Sequence, residues 1–215
     1  YDQDQLLDES LPITWRHINK LAGCGALGDL GSHLLSISQF IMGDITKVNA
    51  VATTVFPKRP KSAGSTEMVD VENEDIMTFM AEYANGAIGQ IACSRVATGR
   101  KNYLTYEIQG TKGSVRYDLE RMGEVQVYFQ SDNERDRGFR TVLLNPLMKG
   151  YSAFQPAGGI SIAYNDMKIL EVHALFDAIT NGADYVTDFE FGYKIDRTVA
   201  AVIESSKTHE WVDVK

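Results

Sequence analysis

Residues 75–97 have the sequence DIMTFMAEYANGAIGQIACSRVA, and the centre of this stretch predicts a β-hairpin. Asn85-Gly86 is the strongest short turn signal between antiparallel strands, because both residues tolerate the positive φ angles of a type I′ turn. Apolar and polar residues alternate on both sides of the turn, as in strands with one buried face. The stretch therefore predicts an antiparallel sheet.

Strand patterns extend outward from this hairpin over residues 46–144. A second hairpin joins 105–109 to 114–118 around a turn that begins and ends with Gly110 and Gly113. The polar segment 58–73, which contains Pro, Gly and Ser, is predicted to be a loop. Further strands are predicted at Glu124–Gln130 and Phe139–Leu144.

Helical spacing of apolar residues appears on both sides of the strand-rich region, at residues 28–42, 164–181 and 190–207. A connection at 145–163 precedes the last two helices, and a short strand is predicted at 210–214. This order predicts an α+β fold, in which a mostly antiparallel open sheet has helices packed on one face. We expect a single domain over residues 1–215.

Composition and charge exclude several classes of protein. The 215 residues carry a net charge of -8, which disfavours nucleic-acid and anionic-membrane partners, and no apolar run is long enough for a transmembrane helix. Cys24 and Cys93 are far apart and form no CxxC motif, so we expect a reducing, cytoplasmic setting. Because the chain does not begin with Met, we expect a piece of a longer protein.

The stretch GCGALGDLGSH at residues 23–33 contains the spacing G-x-G-x-x-G at Gly23, Gly25 and Gly28. A dinucleotide loop needs a buried strand before the first glycine and a βαβ unit around it. The preceding residues 15–22 are too polar for such a strand, and an antiparallel region follows. We therefore predict a small-residue turn that enters a helix.

Asp29 and His33 lie four residues apart and would project from one face of that helix. An imidazole beside a carboxylate is a suitable proton carrier near neutral pH. The alternatives are that Asp29 caps the helix and that His33 is a packed side chain. A zinc site is disfavoured, because the remaining histidines (His17, His173 and His209) show no metal-ligand spacing.

Several motifs in order resemble the C-terminal domain of the Gfo/Idh/MocA oxidoreductases, a family that includes glucose–fructose oxidoreductase and inositol dehydrogenases. The matching segments are Thr14–Arg16, Ala22–His33, Ser94–Asn102 (SRVATGRKN), Glu107–Ser114 (EIQGTKGS), Asp118–Arg121 (DLER), Glu171–Ile179, and Asp188-Phe189 with Gly192. The resemblance spans almost the whole chain.

The resemblance implies an NAD- or NADP-dependent dehydrogenase acting on a sugar, polyol or inositol hydroxyl. By this resemblance His33 is the general acid/base and Asp29 orients the substrate or assists the proton relay. The family's lysine, from an E-K-P motif, and its Rossmann domain have no counterpart in this chain, so we expect no cofactor-binding residues here and no activity of the chain alone.

Weaker candidates for substrate contacts are Arg16, Tyr164 and Asp166. Arg16 is equally a candidate surface salt-bridge partner, and Asp166 is equally a first-turn acid favoured by the helix dipole. The family also implies a homodimer or homotetramer formed through the sheet face. The alternative function is a non-catalytic interaction or scaffold domain that uses the open sheet face, and no metal is expected.

Overall fold

The computed structural model describes residues 1–148 and 150–215. The helices are α1 Asn19–Ala22, α2 Ser32–Met42, α3 Tyr164–Asn181 and α4 Phe189–Thr208. The strands are β1 Ile45–Thr53, β2 Lys58–Pro60, β3 Met68–Asp70, β4 Ile76–Tyr83, β5 Ile88–Ser94, β6 Thr105–Gln109, β7 Gly113–Asp118, β8 Glu124–Phe129, β9 Arg140–Leu143 and β10 Val212–Asp213. These strands pair antiparallel, which confirms the predicted α+β class. Within the described ranges, no helix is long and apolar enough to cross a membrane.

The chain folds into two compact units. The first is formed by residues 1–102 and 187–215, and the second by residues 103–186. The first unit contains a four-stranded sheet in the order β10-β1-β4-β5. Its central hairpin, β4–β5, is the one that the sequence predicts, and Phe79 pairs with Ile91 near its middle. Gly86 has a φ of 85°, a left-handed conformation that glycine adopts without strain.

Helices cover one face of this sheet, as predicted. Helix α4 packs on β1, and the Ser205 hydroxyl accepts a hydrogen bond from the Ala50 amide at 2.9 Å. Ser94, which the alternation places on the open face, is instead buried, because the N-terminal segment lies along it and the Gln3 amide donates to its carbonyl at 2.8 Å. Along β4, Met77, Phe79 and Ala81 are buried and Thr78, Met80 and Glu82 are exposed.

The second unit has its own antiparallel sheet in the order β6-β7-β8-β9, together with α3. The predicted hairpin β6–β7 forms, with Tyr106 paired to Tyr117. The strands are therefore divided between separate sheets, where the sequence predicted a single one. Alternation specifies which face of a strand is buried and leaves its partner strand unspecified. The single domain over residues 1–215 stays a prediction.

Segment 58–73, predicted to be a loop, contains the short antiparallel pair β2–β3. Arg59 in β2 is fully buried, and its guanidinium donates to the carbonyls of Leu6, Asp8 and Leu11. This side chain ties the N-terminal segment to the strand pair. The loop prediction was wrong here, because it relied on Pro, Gly and Ser content and missed a buried anchor.

A buried ion pair joins the start of β4 to the end of β5. The Asp75 carboxylate lies 2.9 Å from the Arg95 guanidinium, and both side chains are fully inaccessible to solvent. Asp75 also accepts hydrogen bonds from the amides of Val55 and Phe56, and Arg95 donates to the Asn73 carbonyl at 3.3 Å. Buried charges persist only when they are paired and hydrogen-bonded, so these partners hold their backbone segments together.

Asp75→Ala is expected to lower the free energy of unfolding by about 3–5 kcal/mol, because it leaves the Arg95 guanidinium buried and unpaired. Urea unfolding followed by circular dichroism measures the change. The matched control is Lys61→Ala, which breaks the exposed pair with Glu67 at 2.9 Å and should cost less than about 1 kcal/mol. Equal losses for the two variants would contradict the structural role of the buried pair.

Candidate active site

The glycine-rich stretch Gly23–Gly28 forms a tight loop against Glu74. The Gly25 amide donates to both oxygens of the Glu74 carboxylate at 2.9 Å, and the Leu27 amide donates to Oε1 at 2.9 Å. The Ala26 amide donates to the Glu74 carbonyl at 3.0 Å. A dinucleotide loop uses such amides to bind phosphate. Because a carboxylate and a carbonyl of the same chain hold them here, the loop is not arranged as a phosphate cradle.

The chain then enters the helix through a π-helical segment, Leu27–Gly31, which continues into α2. The Ser32 amide donates to the carbonyl of Leu27, five residues back. The sequence predicts an α-helix over 28–42, so the first turn is wider than predicted. Gly31 packs closely against Leu27, since a Cβ there would lie 2.9 Å from Cδ1 of that residue. Single π turns inside α-helices occur frequently at functional sites.

Asp29 projects from the π-helical segment and is half-buried. Its Oδ2 lies 3.7 Å from Nε of Arg16 and accepts a hydrogen bond from the Gln5 side chain at 3.3 Å. The Arg16 guanidinium also lies over the exposed ring of Trp15, 4.6 Å from its centroid. The structure thus brings two predicted site residues, Asp29 and Arg16, together as a solvent-accessible ion pair. Asp29 does not serve as a helix cap.

His33 is exposed on the first turn of α2. The ring of Tyr1 contacts it edge-on, with centroids 5.9 Å apart and planes at 71°. The Tyr1 hydroxyl donates a hydrogen bond to the side-chain oxygen of Asn102 and accepts one from the side-chain amide of Gln3 at 2.9 Å. Within residues 1–148 and 150–215 the imidazole makes no hydrogen bond, so its nitrogens are open to a ligand. The alternative of a packed His33 does not describe this geometry.

The short turn Trp15–His17 holds Arg16 in place through its neighbours. His17 is fully buried, and its Nδ1 accepts a hydrogen bond from the Thr14 amide at 3.0 Å. Burial lowers the pKa of His17, and nearby arginine charges lower it further, so the ring is held neutral and accepts at Nδ1. The Asn73 side chain donates to the Arg16 carbonyl at 2.9 Å, which fixes the turn against the start of β4.

Tyr164 and Asp166 lie in the second unit, at the start of α3. Asp166 accepts a hydrogen bond from the Ala163 amide at 2.8 Å and therefore acts at the helix N-terminus, as the alternative interpretation predicted. The Tyr164 ring is exposed, and Nζ of Lys168 lies 5.6 Å from its centroid. Their assignment as substrate contacts stays a prediction.

The two cysteines are free thiols with little nucleophilic character. Burial, followed by the charge of Glu74, raises the pKa of Cys24 to about 11. Burial raises the pKa of Cys93 to about 12. Only the thiolate is a strong nucleophile, so Cys24 is a packing residue beside the site and not a catalytic one.

The side chains at the helix entrance are the His33 imidazole, the Asp29 carboxylate, the Arg16 guanidinium and the Tyr1 ring. The chemistry that they offer is proton transfer and hydrogen bonding. In the part of the chain that the structure describes, no three His, Cys, Asp or Glu side chains are grouped to hold a metal ion.

The sequence analysis did not identify the residues that support Asp29, Arg16 and His33. Glu74 and Asn73 lie just before β4 and hold the glycine loop and the Arg16 turn, and Tyr1 flanks His33. The available signal was the run of three polar residues, Asn73-Glu74-Asp75, immediately before an apolar strand. Such a run indicates polar groups at a strand end and leaves their partners unspecified.

Comparison with known proteins places the fold in a family. Residues 1–116 match the model described as the GFO/IDH/MocA C-terminal domain. The chain belongs to the Gfo/Idh/MocA family. This membership confirms the resemblance stated from the motifs around Asp29 and His33.

Individual known proteins match this chain over its whole length. Levoglucosan dehydrogenase of Pseudarthrobacter phenanthrenivorans is 38% identical over 227 residues, which cover 100% of this chain and 58% of that protein. The structure of levoglucosan dehydrogenase in complex with NADH and L-sorbose matches with a TM-score of 0.95 at 38% identity, covering 100% of this chain and 57% of that one. An NAD-binding oxidoreductase from Klebsiella pneumoniae matches with the same TM-score, identity and coverage. The chain thus spans less than two thirds of each relative.

Alkylation by iodoacetamide at pH 8 is expected to be at least about 100-fold slower in the folded chain than in the urea-unfolded chain, whose thiols have an ordinary pKa of about 8.5. The raised pKa values of Cys24 and Cys93 keep both thiols protonated at this pH. Because thiolate increases with pH below the pKa, the folded-state rate should rise about tenfold per pH unit. A rate that is fast at pH 7 and independent of pH would contradict the packing role of Cys24.

Proposed function

We propose that this chain is the substrate-binding and oligomerisation part of an NAD- or NADP-dependent dehydrogenase that oxidises a hydroxyl of a sugar, polyol or inositol. The observation that carries the proposal is the solvent-open His33 on the same helical segment as the Asp29–Arg16 pair. Family membership and the 38% identity to levoglucosan dehydrogenase support the same chemistry.

In this proposal His33 is the general acid/base. Its imidazole makes no hydrogen bond within the described ranges, so it is free to accept the proton of a substrate hydroxyl as the carbon loses hydride. The Tyr1 ring restricts the imidazole from one side. Asp29 is held by Arg16 and Gln5, and its carboxylate orients the substrate or assists the proton transfer.

The proposed cofactor, NAD or NADP, supplies the hydride acceptor when it is bound. The glycine loop of this chain does not fit the pyrophosphate, because Glu74 occupies the amides of Gly25 and Leu27. The cofactor and the family's lysine are therefore assigned to a Rossmann domain outside these 215 residues. On this proposal the isolated chain turns over no sugar, and measurable turnover would contradict that part.

For the substrate we propose a contact from Arg16, which pairs with Asp29. Tyr164 and Asp166, at the start of α3, are proposed separately as candidate substrate contacts. An exposed guanidinium, a phenol and a carboxylate all hydrogen-bond sugar hydroxyls. Structures of levoglucosan dehydrogenase are described in complex with levoglucosan and with L-sorbose, which supports a sugar-sized ligand here. The free thiols of the two cysteines support the proposed cytoplasmic setting.

The open face of the first sheet is the proposed contact with a second copy in a homodimer or homotetramer. Apolar side chains project from this face on three strands, and the most exposed are Val51, Met80 and Ile88, at 58%, 42% and 77%. Apolar patches of this kind mark protein interfaces. In the alternative function, a non-catalytic scaffold domain, the same sheet face binds a partner protein and no enzymatic activity is expected.

His33→Ala, in the full-length protein that contains this chain, is expected to lower kcat by about 10²-fold, the usual contribution of a general acid/base. Initial rates with levoglucosan and NAD⁺ or NADP⁺, followed as NAD(P)H absorbance, measure the effect. His173→Ala is the matched control, because His173 is exposed on α3 in the second unit. A near-normal rate for the His33 variant would reject its assignment.

Met80→Glu is expected to shift the full-length protein toward the monomer, because each protomer would bring a buried carboxylate into the proposed interface. Sedimentation velocity measures the change in mass. Leu147→Glu places the same charge at a fully exposed apolar position and serves as the control. An unchanged oligomer in the Met80 variant would argue for a different interface.

A further inference from the structure

The Glu74 side chain contacts the backbone where the glycine loop leads into the helical segment that carries Asp29 and His33. Its two carboxylate oxygens accept three hydrogen-bond contacts from the amides of Gly25 and Leu27, each at 2.9 Å. Such bonds to an ionised acceptor are stronger than neutral ones, and a negative charge is favoured at a helix N-terminus. The charge therefore acts on the entrance to a helical segment that runs from Leu27 to Met42.

The backbone of Glu74 also lies directly against this loop. The Ala26 amide donates to its carbonyl oxygen at 3.0 Å, and a Cβ built on Gly25 would lie only 2.0 Å from that oxygen. No side chain larger than hydrogen fits there without moving the backbone. The loop is thus fixed from two sides, by the carboxylate and by the main chain of one residue.

Backbone hydrogen bonds carry this constraint to the two proposed catalytic residues. The carbonyl of Gly25 accepts from the Asp29 amide at 3.2 Å. The carbonyl of Leu27 accepts from the amide of Ser32, the residue before His33. Gly25 and Leu27 therefore link Glu74 to the proposed catalytic residues. Their amides donate to the Glu74 carboxylate, and their carbonyls accept from the backbone of Asp29 and of the residue before His33.

We propose that Glu74 is a positioning residue for the dehydrogenase reaction: its carboxylate fixes the π-helical entrance and so sets where Asp29 and His33 meet the substrate. The proposal rests on the proposed function. Glu74 makes no contact with substrate in this role and acts through the backbone of Gly25 and Leu27.

The test compares Glu74→Gln, Glu74→Asp and Glu72→Gln in the full-length protein, with levoglucosan and NAD(P)⁺. Glu74→Gln keeps the shape and removes the charge, and Glu74→Asp keeps the charge and shortens the reach. Glu72 is the matched control on the same segment, because its carboxylate accepts a hydrogen bond from the Asn19 amide at 2.7 Å, and Asn19 is bonded to Gly23 and not to the amides of Gly25 and Leu27. Each variant is assayed for kcat, for cofactor KM and for the deuterium isotope effect with sugar labelled at the reacting carbon.

Glu74→Gln is expected to lower kcat by about 10- to 100-fold, since small misplacements of catalytic groups have effects of this size. Cofactor KM should change by less than about twofold, and the isotope effect should increase because the chemical step becomes more rate-limiting. Glu74→Asp should recover part of the rate. A merely structural role would reduce the folded fraction, which lowers the rate and leaves the isotope effect unchanged.

An active wild type with unchanged kcat and isotope effect in Glu74→Gln overturns the positioning role alone. A wild type that oxidises no sugar, polyol or inositol with NAD⁺ or NADP⁺ instead overturns the proposed function. Hydrogen exchange over residues 25–33 then still tests the anchoring: faster exchange in Glu74→Gln, and not in Glu72→Gln, supports it, and equal exchange rejects it. The two failures are therefore distinguishable.

Discussion

The buried ion pair between Asp75 and Arg95 is the constraint on which the first unit depends. Both groups are fully excluded from solvent, so their charges persist only because neighbouring donors and acceptors face them. Those neighbours include the amides of Val55 and Phe56 and the carbonyl of Asn73. Since the pair fixes residue 75, the residues just before it are held at the start of β4, where Glu74 faces the glycine loop and Asn73 faces the turn of Arg16.

The glycine loop illustrates how one spacing serves two physical purposes. In a dinucleotide-binding protein, a G-x-G-x-x-G loop exposes its amides to a phosphate supplied by the ligand. Here the anion is Glu74 of the same chain, and the tight approach at Gly25 reflects contact with that residue's carbonyl. The same arrangement of amides therefore anchors the loop to Glu74, and the proposed catalytic residues lie on the helical segment that follows it.

The proposed active site is divided between this chain and residues outside it. In the proposed function His33 transfers the proton and Asp29 orients the substrate, and Arg16 lies 3.7 Å from Asp29. The chain spans 58% of levoglucosan dehydrogenase, and the cofactor cradle that a dehydrogenase needs is absent from its glycine loop. This division is why the isolated chain and the full-length protein are expected to behave differently in the assays.

The sequence by itself determined the hairpins, the three longer helices, the Asp29–His33 spacing and the family, because turn chemistry, periodicity and ordered motifs are local properties. Tertiary structure decided how strands partition into sheets, the strand pair around buried Arg59, and the π-helical entrance. It also decided that Arg16 pairs with Asp29 and that Glu74 holds the loop. These features arise from contacts between residues far apart in the chain, and no local pattern specifies which buried charge meets which amide.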